Sequence, residues 1–272
     1  MPSPLAATVA VLEVLMLLAG LALLWRFAWS PAARASPARP VLPHWDLRAE
    51  EFVLFVLFVF GGWVVLALLA GSVCRLIGLK GNGANLVVGG ASQLGWLLGC
   101  IGHRLRFERG AGADVPRGRG FLVSGAATFL IAWPLVTLSG LLWRFFLQTA
   151  GVVLERQPMI DLFSRANSPG VIALMILLAV VIAPVTEELV FRGGLFRYVR
   201  GRTSRTFAIM GPAVIFGAFH TNLASLVPLV VLAIVLSQAY ERTGHIGTPI
   251  VAHALFNLNT VLLIYSGVGD LS

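Results

Sequence analysis

The stretch Val171-Ile-Ala-Leu-Met-Ile-Leu-Leu-Ala-Val-Val-Ile-Ala-Pro-Val-Thr-Glu187-Glu188-Leu-Val-Phe-Arg192 decides the fold. Residues 171–186 carry no charge at all. A bilayer-spanning helix needs about 20 predominantly apolar residues, so this run reads as a membrane helix. Two adjacent carboxylates then interrupt it. A charge at the bilayer centre costs roughly 2.5–3.5 kcal/mol even on the mildest scales, and an intramembrane ionisable residue is by default a functional-site hypothesis.

The rest of the chain agrees with a membrane reading. Of 272 residues, 58% are hydrophobic and only 12% charged, with a mean hydropathy of +0.88. Soluble domains carry about 25% charged residues. Eight apolar spans emerge, near residues 5–25, 52–72, 84–101, 121–142, 170–190, 206–220, 223–240 and 247–266. The expected fold class is therefore all-α, a polytopic membrane helix bundle of about eight transmembrane helices. The sixth span is short, the fifth continues past the membrane edge, and Ser92 and Gln93 weaken the third. The organisation divides into residues 1–150, four helices with basic loops, and residues 170–266, a four-helix core holding the polar residues. No internal repeat is evident.

The first apolar run, Leu5–Leu24, has no basic segment before it and is long for a signal peptide, so it is expected to be retained as a helix. Ser30–Pro43 is rich in Pro, Ala and Arg and reads as an extended linker. The basic loop Arg109–Gly120 lacks the Gly-Lys-Ser/Thr ending of a phosphate loop. Cys74 and Cys100 lie in or beside apolar segments and read as small buried hydrophobes. The C-terminus carries no lipidation signal.

The net charge of +8 would raise nucleic-acid binding in a soluble protein. Here the basic residues fall in loops between spans, so the expected partner is the lipid bilayer and no nucleic acid. Fifteen of the twenty Lys and Arg, Arg192 among them, fall in one alternate set of loops and five in the other. That bias puts both termini on the non-cytoplasmic side. The expected localisation is an integral, multi-pass membrane protein. The oligomeric state is not legible.

Polar residues gather in the last four spans. Glu188 and Arg192 are four apart, on one helix face, and can form an ion pair. Glu187 is rotated by about 100° from Glu188. One carboxylate can thus be neutralised while the other faces a cavity. Phe216 and His220, and His253 and Asn257, repeat the spacing of four; Thr221-Asn222 is a weaker polar pair. Counted along antiparallel helices at about 1.5 Å per residue, Glu187 and His220 reach a similar level. His253 joins them only if its helix starts below the membrane surface. Gly247-Thr248-Pro249 fits such a start, with Thr248 as N-cap and Pro249 in the first position.

Two chemistries use this set. A Glu–His pair can deprotonate a water, and a second His with an Asn can donate hydrogen bonds to an oxyanion. One Glu with two His is also the ligand set of a catalytic zinc: Glu187, His220 and His253 are the candidates for such a divalent metal. The chain has neither a His-Glu-x-x-His motif nor a Gly-x-Ser-x-Gly elbow. Two non-hydrolytic readings stay open. One is a non-proteolytic membrane adaptor or immunity protein that keeps the polar core for packing. The other is a transporter with an intramembrane carboxylate relay.

The ordered motifs Glu187-Glu188-x-x-x-Arg192, Phe216-x-x-x-His220 and His253-x-x-x-Asn257 resemble those of the CAAX-type intramembrane proteases, also called the CPBP or Abi family. The resemblance covers about residues 170–266. It implies an eight-helix endopeptidase in which Glu187 and His220 activate water, His253 and Asn257 stabilise the oxyanion, and Glu188, Arg192 and Phe216 support the site. It implies a peptide or lipidated-protein substrate, prenylated or otherwise membrane-associated, and leaves metal dependence open. Some members of the family serve bacteriocin self-immunity.

Overall fold

A computed structural model describes residues 3–35, 42, 45–107, 120–154, 162–163 and 168–268. Among these residues there are helices and no strands. Helix α1, Pro4–Leu24, runs on through a π turn, Trp25–Trp29, into a short helix, Pro31–Ala35. Then come α2 (Ala49–Leu76), α3 (Gly81–Phe107), α4 (Gly120–Thr149), α5 (Pro169–Arg200), α6 (Arg205–Phe219), α7 (Leu223–Thr243) and α8 (Gly247–Ser266). All but α6 are long and apolar enough to cross a membrane. The protein is thus an all-α, multi-pass integral membrane bundle. The expected extended linker begins instead as the short helix Pro31–Ala35; residues 36–41 and 43 of it and the loop 109–119 lie outside the described residues, as do Arg156 and Arg165.

Large apolar side chains such as Leu57, Leu68, Leu141 and Phe145 stand well exposed on the outer faces, where lipid rather than water meets them. One buried cluster fills the interior, from Phe55 and Trp96 through Trp133 to Phe216, Leu232 and Ala252. It draws on both halves of the chain.

Backbone packing without lipid-excluding hydrophobic force relies on small residues, and α2 and α3 show it. A Cβ on Gly95 would overlap the backbone of Gly62, and one on Gly99 would overlap the backbone at Phe58 and Val59. Gly61, one residue away, has nothing within 4 Å of such a Cβ. Gly95→Ala is therefore expected to lose about 1–3 kcal/mol through forced backbone separation. Gly61→Ala should leave the thermal midpoint in detergent unchanged. Equal midpoints for the two variants would contradict this packing.

Two polar contacts absent from the sequence reading fix the ends and the first helix. Glu241 on α7 is buried and accepts from Arg200 Nε at 2.6 Å and Arg205 Nε at 2.7 Å. That carboxylate clamps the α5–α6 corner to the end of α7. Glu13, in the middle of α1, neighbours Trp133 of α4 and Asn259 of α8.

Two expectations need correction. Arg192 is not a loop charge: it lies inside α5 and is only 1% exposed, because Glu188 one turn earlier holds it in the bundle. It therefore drops out of the loop bias used for topology. Thr248 is not an N-cap. Helix α8 begins at Gly247, Ile246 precedes it without a side-chain cap, and the fully buried Thr248 hydroxyl bonds the Ser124 hydroxyl at 2.8 Å. A hydroxyl partner on α4 outcompeted the local cap.

Candidate active site

The backbone of α5 departs from α-helical form on both sides of the paired carboxylates. Leu177–Ile182 and Leu189–Phe196 are π-helical, and Ala183–Glu188 between them is α-helical. Such π segments are rare and gather at functional sites. The first has a local cause. Ala183 N–H bonds the carbonyl of Leu178, five residues back. The next bond of that pattern would run from residue 184 to Ala179, but residue 184 is proline and has no N–H. The Ala179 carbonyl is left without its helical donor, and Asn257 Nδ2 of α8 supplies one at 2.8 Å. Asn257 thus joins α8 to α5 about two helical turns before Glu187, and one amide hydrogen remains for other use.

Glu188 points inward and is 0% exposed. Its Oε1 accepts from Arg192 Nη1 at 2.8 Å and from His253 Nδ1 at 2.8 Å. A carboxylate only accepts, so His253 carries its hydrogen on Nδ1. His253 Nε2 then faces Glu187 Oε2 at 3.8 Å. No arginine among the described residues pairs with Glu187 at ion-pair distance, although the Arg192 charge acts on it, and its buried Oε2 makes no hydrogen bond. The rotation of about 100° between the two glutamates separates an ion-paired group from a cavity-lining one.

Phe216, fully buried on α6, is the hub of the aromatic packing. The Arg192 guanidinium sits 4.6 Å over its ring, the His220 ring 4.9 Å away and the His253 ring 5.8 Å away at right angles. A guanidinium over an aromatic face gains cation–π attraction that grows on desolvation. His220 Nδ1 donates to the Phe216 carbonyl at 2.9 Å, which leaves Nε2 as the ring nitrogen not tied to the backbone. Helix α6 stops there because Thr221 takes a left-handed conformation, φ +51°. A β-branched residue is seldom found there. Asn222 then caps α7, its side chain accepting from Ser225 N at 3.0 Å. The polar pair Thr221-Asn222 is accounted for by this reversal, which also explains the short sixth span.

A cavity of about 370 Å³ is lined by Glu187, His220, His253 and Asn257. Phe256, Leu229 and Ile264 supply part of its apolar wall, and Arg144 is the one Lys or Arg among the described residues that borders it. All four residues expected to do chemistry thus meet on one cavity. The three expected as a zinc set, Glu187, His220 and His253, do not converge into a metal site. No group of three His, Cys, Asp or Glu among the described residues is placed to hold an ion. One contributor lies outside the three motifs: Gln93 of α3 also lines the cavity, and its Oε1 accepts from the Thr186 hydroxyl. A polar residue inside the third span was its only sequence signal.

Residues 169–259 match the family described as type II CAAX prenyl endopeptidase Rce1-like. The resemblance carried by the three motifs is borne out over the segment that holds them. Among curated proteins, "Putative membrane peptidase YdiL" of Bacillus subtilis (strain 168) is 32% identical over 92 residues, which is 34% of this chain and 38% of that relative. The chain thus spans little more than a third of the relative it matches. No solved structure matches.

Proposed function

We propose that this protein is a membrane-embedded endopeptidase that hydrolyses a peptide bond with a water activated by Glu187 and His220. One observation carries this reading. Glu187, without an arginine partner, shares a cavity with His220 and His253 inside a bundle that is otherwise apolar. The family of residues 169–259 supports the same reaction class.

In this mechanism the Glu187 carboxylate takes a proton from a water that His220 helps to hold, and the hydroxide oxygen attacks the carbonyl carbon. The carbonyl oxygen becomes an oxyanion. Asn257 offers it the amide hydrogen not used on Ala179, and the His253 ring stands on the same cavity beside Glu187. The proton then passes from Glu187 to the leaving nitrogen as the C–N bond breaks. Removing one donor of this kind costs about 10²–10³-fold in kcat. Glu188 and Arg192 hold His253 and Phe216 in place.

The substrate class is a membrane-associated peptide, prenylated CAAX-type or other, entering the apolar cavity. The Lys/Arg bias of the loops supports both termini lying outside the cytoplasm, with α6 counted as the eighth crossing. No step is routed through a metal, because Glu187, His220 and His253 do not converge on one point. Purified protein should therefore keep its cleavage rate within about twofold after EDTA or phenanthroline treatment and removal of bound metal. Loss of cleavage on chelation, restored by zinc, would overturn the water-only mechanism.

A further inference from the structure

The active-site cavity reaches well beyond the catalytic residues. On α8 its wall runs from His253 through Asn257 to Ile264, a length of about 16 Å at about 1.5 Å per residue. Among the described residues it is bordered by one basic side chain, Arg144 of α4, and by one acidic side chain, Glu187. Asn222, Ala224 and Ser225, at the start of α7, also line it.

The packing of α4 places Arg144 at the far end. Helices α4 and α8 run side by side in the same direction: Ser124 bonds Thr248 at 2.8 Å, and further along Trp133 packs on Phe256 with ring centroids 5.8 Å apart. Arg144 lies about 16 Å past Trp133, and Ile264 about 12 Å past Phe256. A helical side chain leans back toward the N-terminus of its helix, so Arg144 belongs to the Ile264 end. Trp143 Nε1 donates to the Leu223 carbonyl at 2.7 Å and ties this end of α4 to the start of α7. Gly140, one turn before Arg144 on the same face, borders the cavity too. Arg144 is half-buried and makes no hydrogen bond or ion pair among the described residues.

An arginine on the wall of an apolar intramembrane cavity marks a functional site by default, and its missing partner is an anion. The positive end of the α7 macrodipole adds to that preference. A guanidinium matches a carboxylate through two parallel N–H···O bonds. We propose that Arg144 binds a carboxylate of the peptide substrate and thereby sets which bond reaches Glu187. The proposal rests on the hydrolytic reading and narrows its substrate to peptides with a carboxylate, terminal or side-chain, near the scissile bond. From Asn257 or His253 to Ile264 is about 10–16 Å along α8, which is about three to five residues of extended chain at about 3.3 Å each. Arg144 lies outside residues 169–259 and outside the three motifs.

Three forms of one prenylated peptide test this: the free C-terminal acid, the C-terminal amide, and an amide that ends in Glu. Binding is measured first, on the Glu187→Gln protein in lipid nanodiscs, because it needs no turnover. The acid should bind about ten- to a hundredfold tighter than the amide, the size of a hydrogen bond to a charged group. Adding Arg144→Gln should erase that difference and leave the thermal midpoint unchanged. Arg75→Gln, which removes an arginine that does not border the cavity, should keep it. Tight binding of the amide ending in Glu assigns the site to a side-chain carboxylate, and weak binding assigns it to the chain terminus; both uphold the proposal. Acid and amide bound alike, no binding of the acid, or a preference that survives Arg144→Gln overturns it. With Glu187 intact, Arg144→Gln should raise KM for the acid by the same factor. Acid-selective binding by a protein that cleaves nothing upholds the carboxylate site and removes only the endopeptidase reading. Cleavage without acid selectivity does the reverse.

Discussion

Cleavage is expected to stop when Glu187 is replaced by Gln. The substitution keeps the volume and the acceptor oxygen but removes the group that takes the proton from water. General-base catalysis contributes about 10²–10⁴-fold, and the loss in kcat should fall in or beyond that range. The fold should be untouched, because Arg192 pairs directly with Glu188 and Glu187 makes no hydrogen bond from its buried Oε2. The thermal midpoint in detergent is the control: it should match that of the wild type. A protein that keeps its midpoint and its full cleavage rate after Glu187→Gln has its base elsewhere.

The opposite pattern is expected one residue along. Glu188 and Arg192 are 0% and 1% exposed and paired at 2.8 Å. Removing one member of a buried pair leaves an uncompensated charge and costs about 3–5 kcal/mol, whereas replacing both by apolar residues of similar size is often neutral. Arg192→Leu should therefore lower the unfolding midpoint sharply, also because the guanidinium leaves the face of Phe216. The double variant Glu188→Met/Arg192→Leu should regain most of that stability. It should not regain activity, since His253 Nδ1 loses its acceptor. A double variant as unstable as Arg192→Leu alone would show that the pair is needed for more than charge balance.

Apolar length made seven of the eight helices legible, because a run of about 20 apolar residues has few other uses. The i, i+4 pairs were legible for a similar reason: Glu188–Arg192 and Phe216–His220 depend only on the rise and turn of one helix. Contacts between helices depend on how each is rotated about its axis, and a single sequence does not carry that. So the His253–Glu188 bond, the Asn257–Ala179 bond and the Gln93–Thr186 bond were not foreseen. The Asn257 case had a readable trace in Pro184, whose missing N–H guarantees an unsatisfied carbonyl nearby. Glu13 and Glu241 were passed over although each is a carboxylate in or at the end of an apolar helix. The start of α8 was misread because the local cap signal of Thr248 lost to a hydroxyl 124 residues away.

The most direct test uses the purified protein in lipid nanodiscs with a prenylated peptide and its unprenylated counterpart in H₂¹⁸O. Products are read by mass spectrometry for the wild type and for Glu187→Gln. The predicted result is cleavage of at least one peptide at a single bond, with one ¹⁸O in the new carboxylate for the wild type and no cleavage for the variant. Intact peptides with the wild type, or equal cleavage by both proteins, would contradict a water-activating site at Glu187.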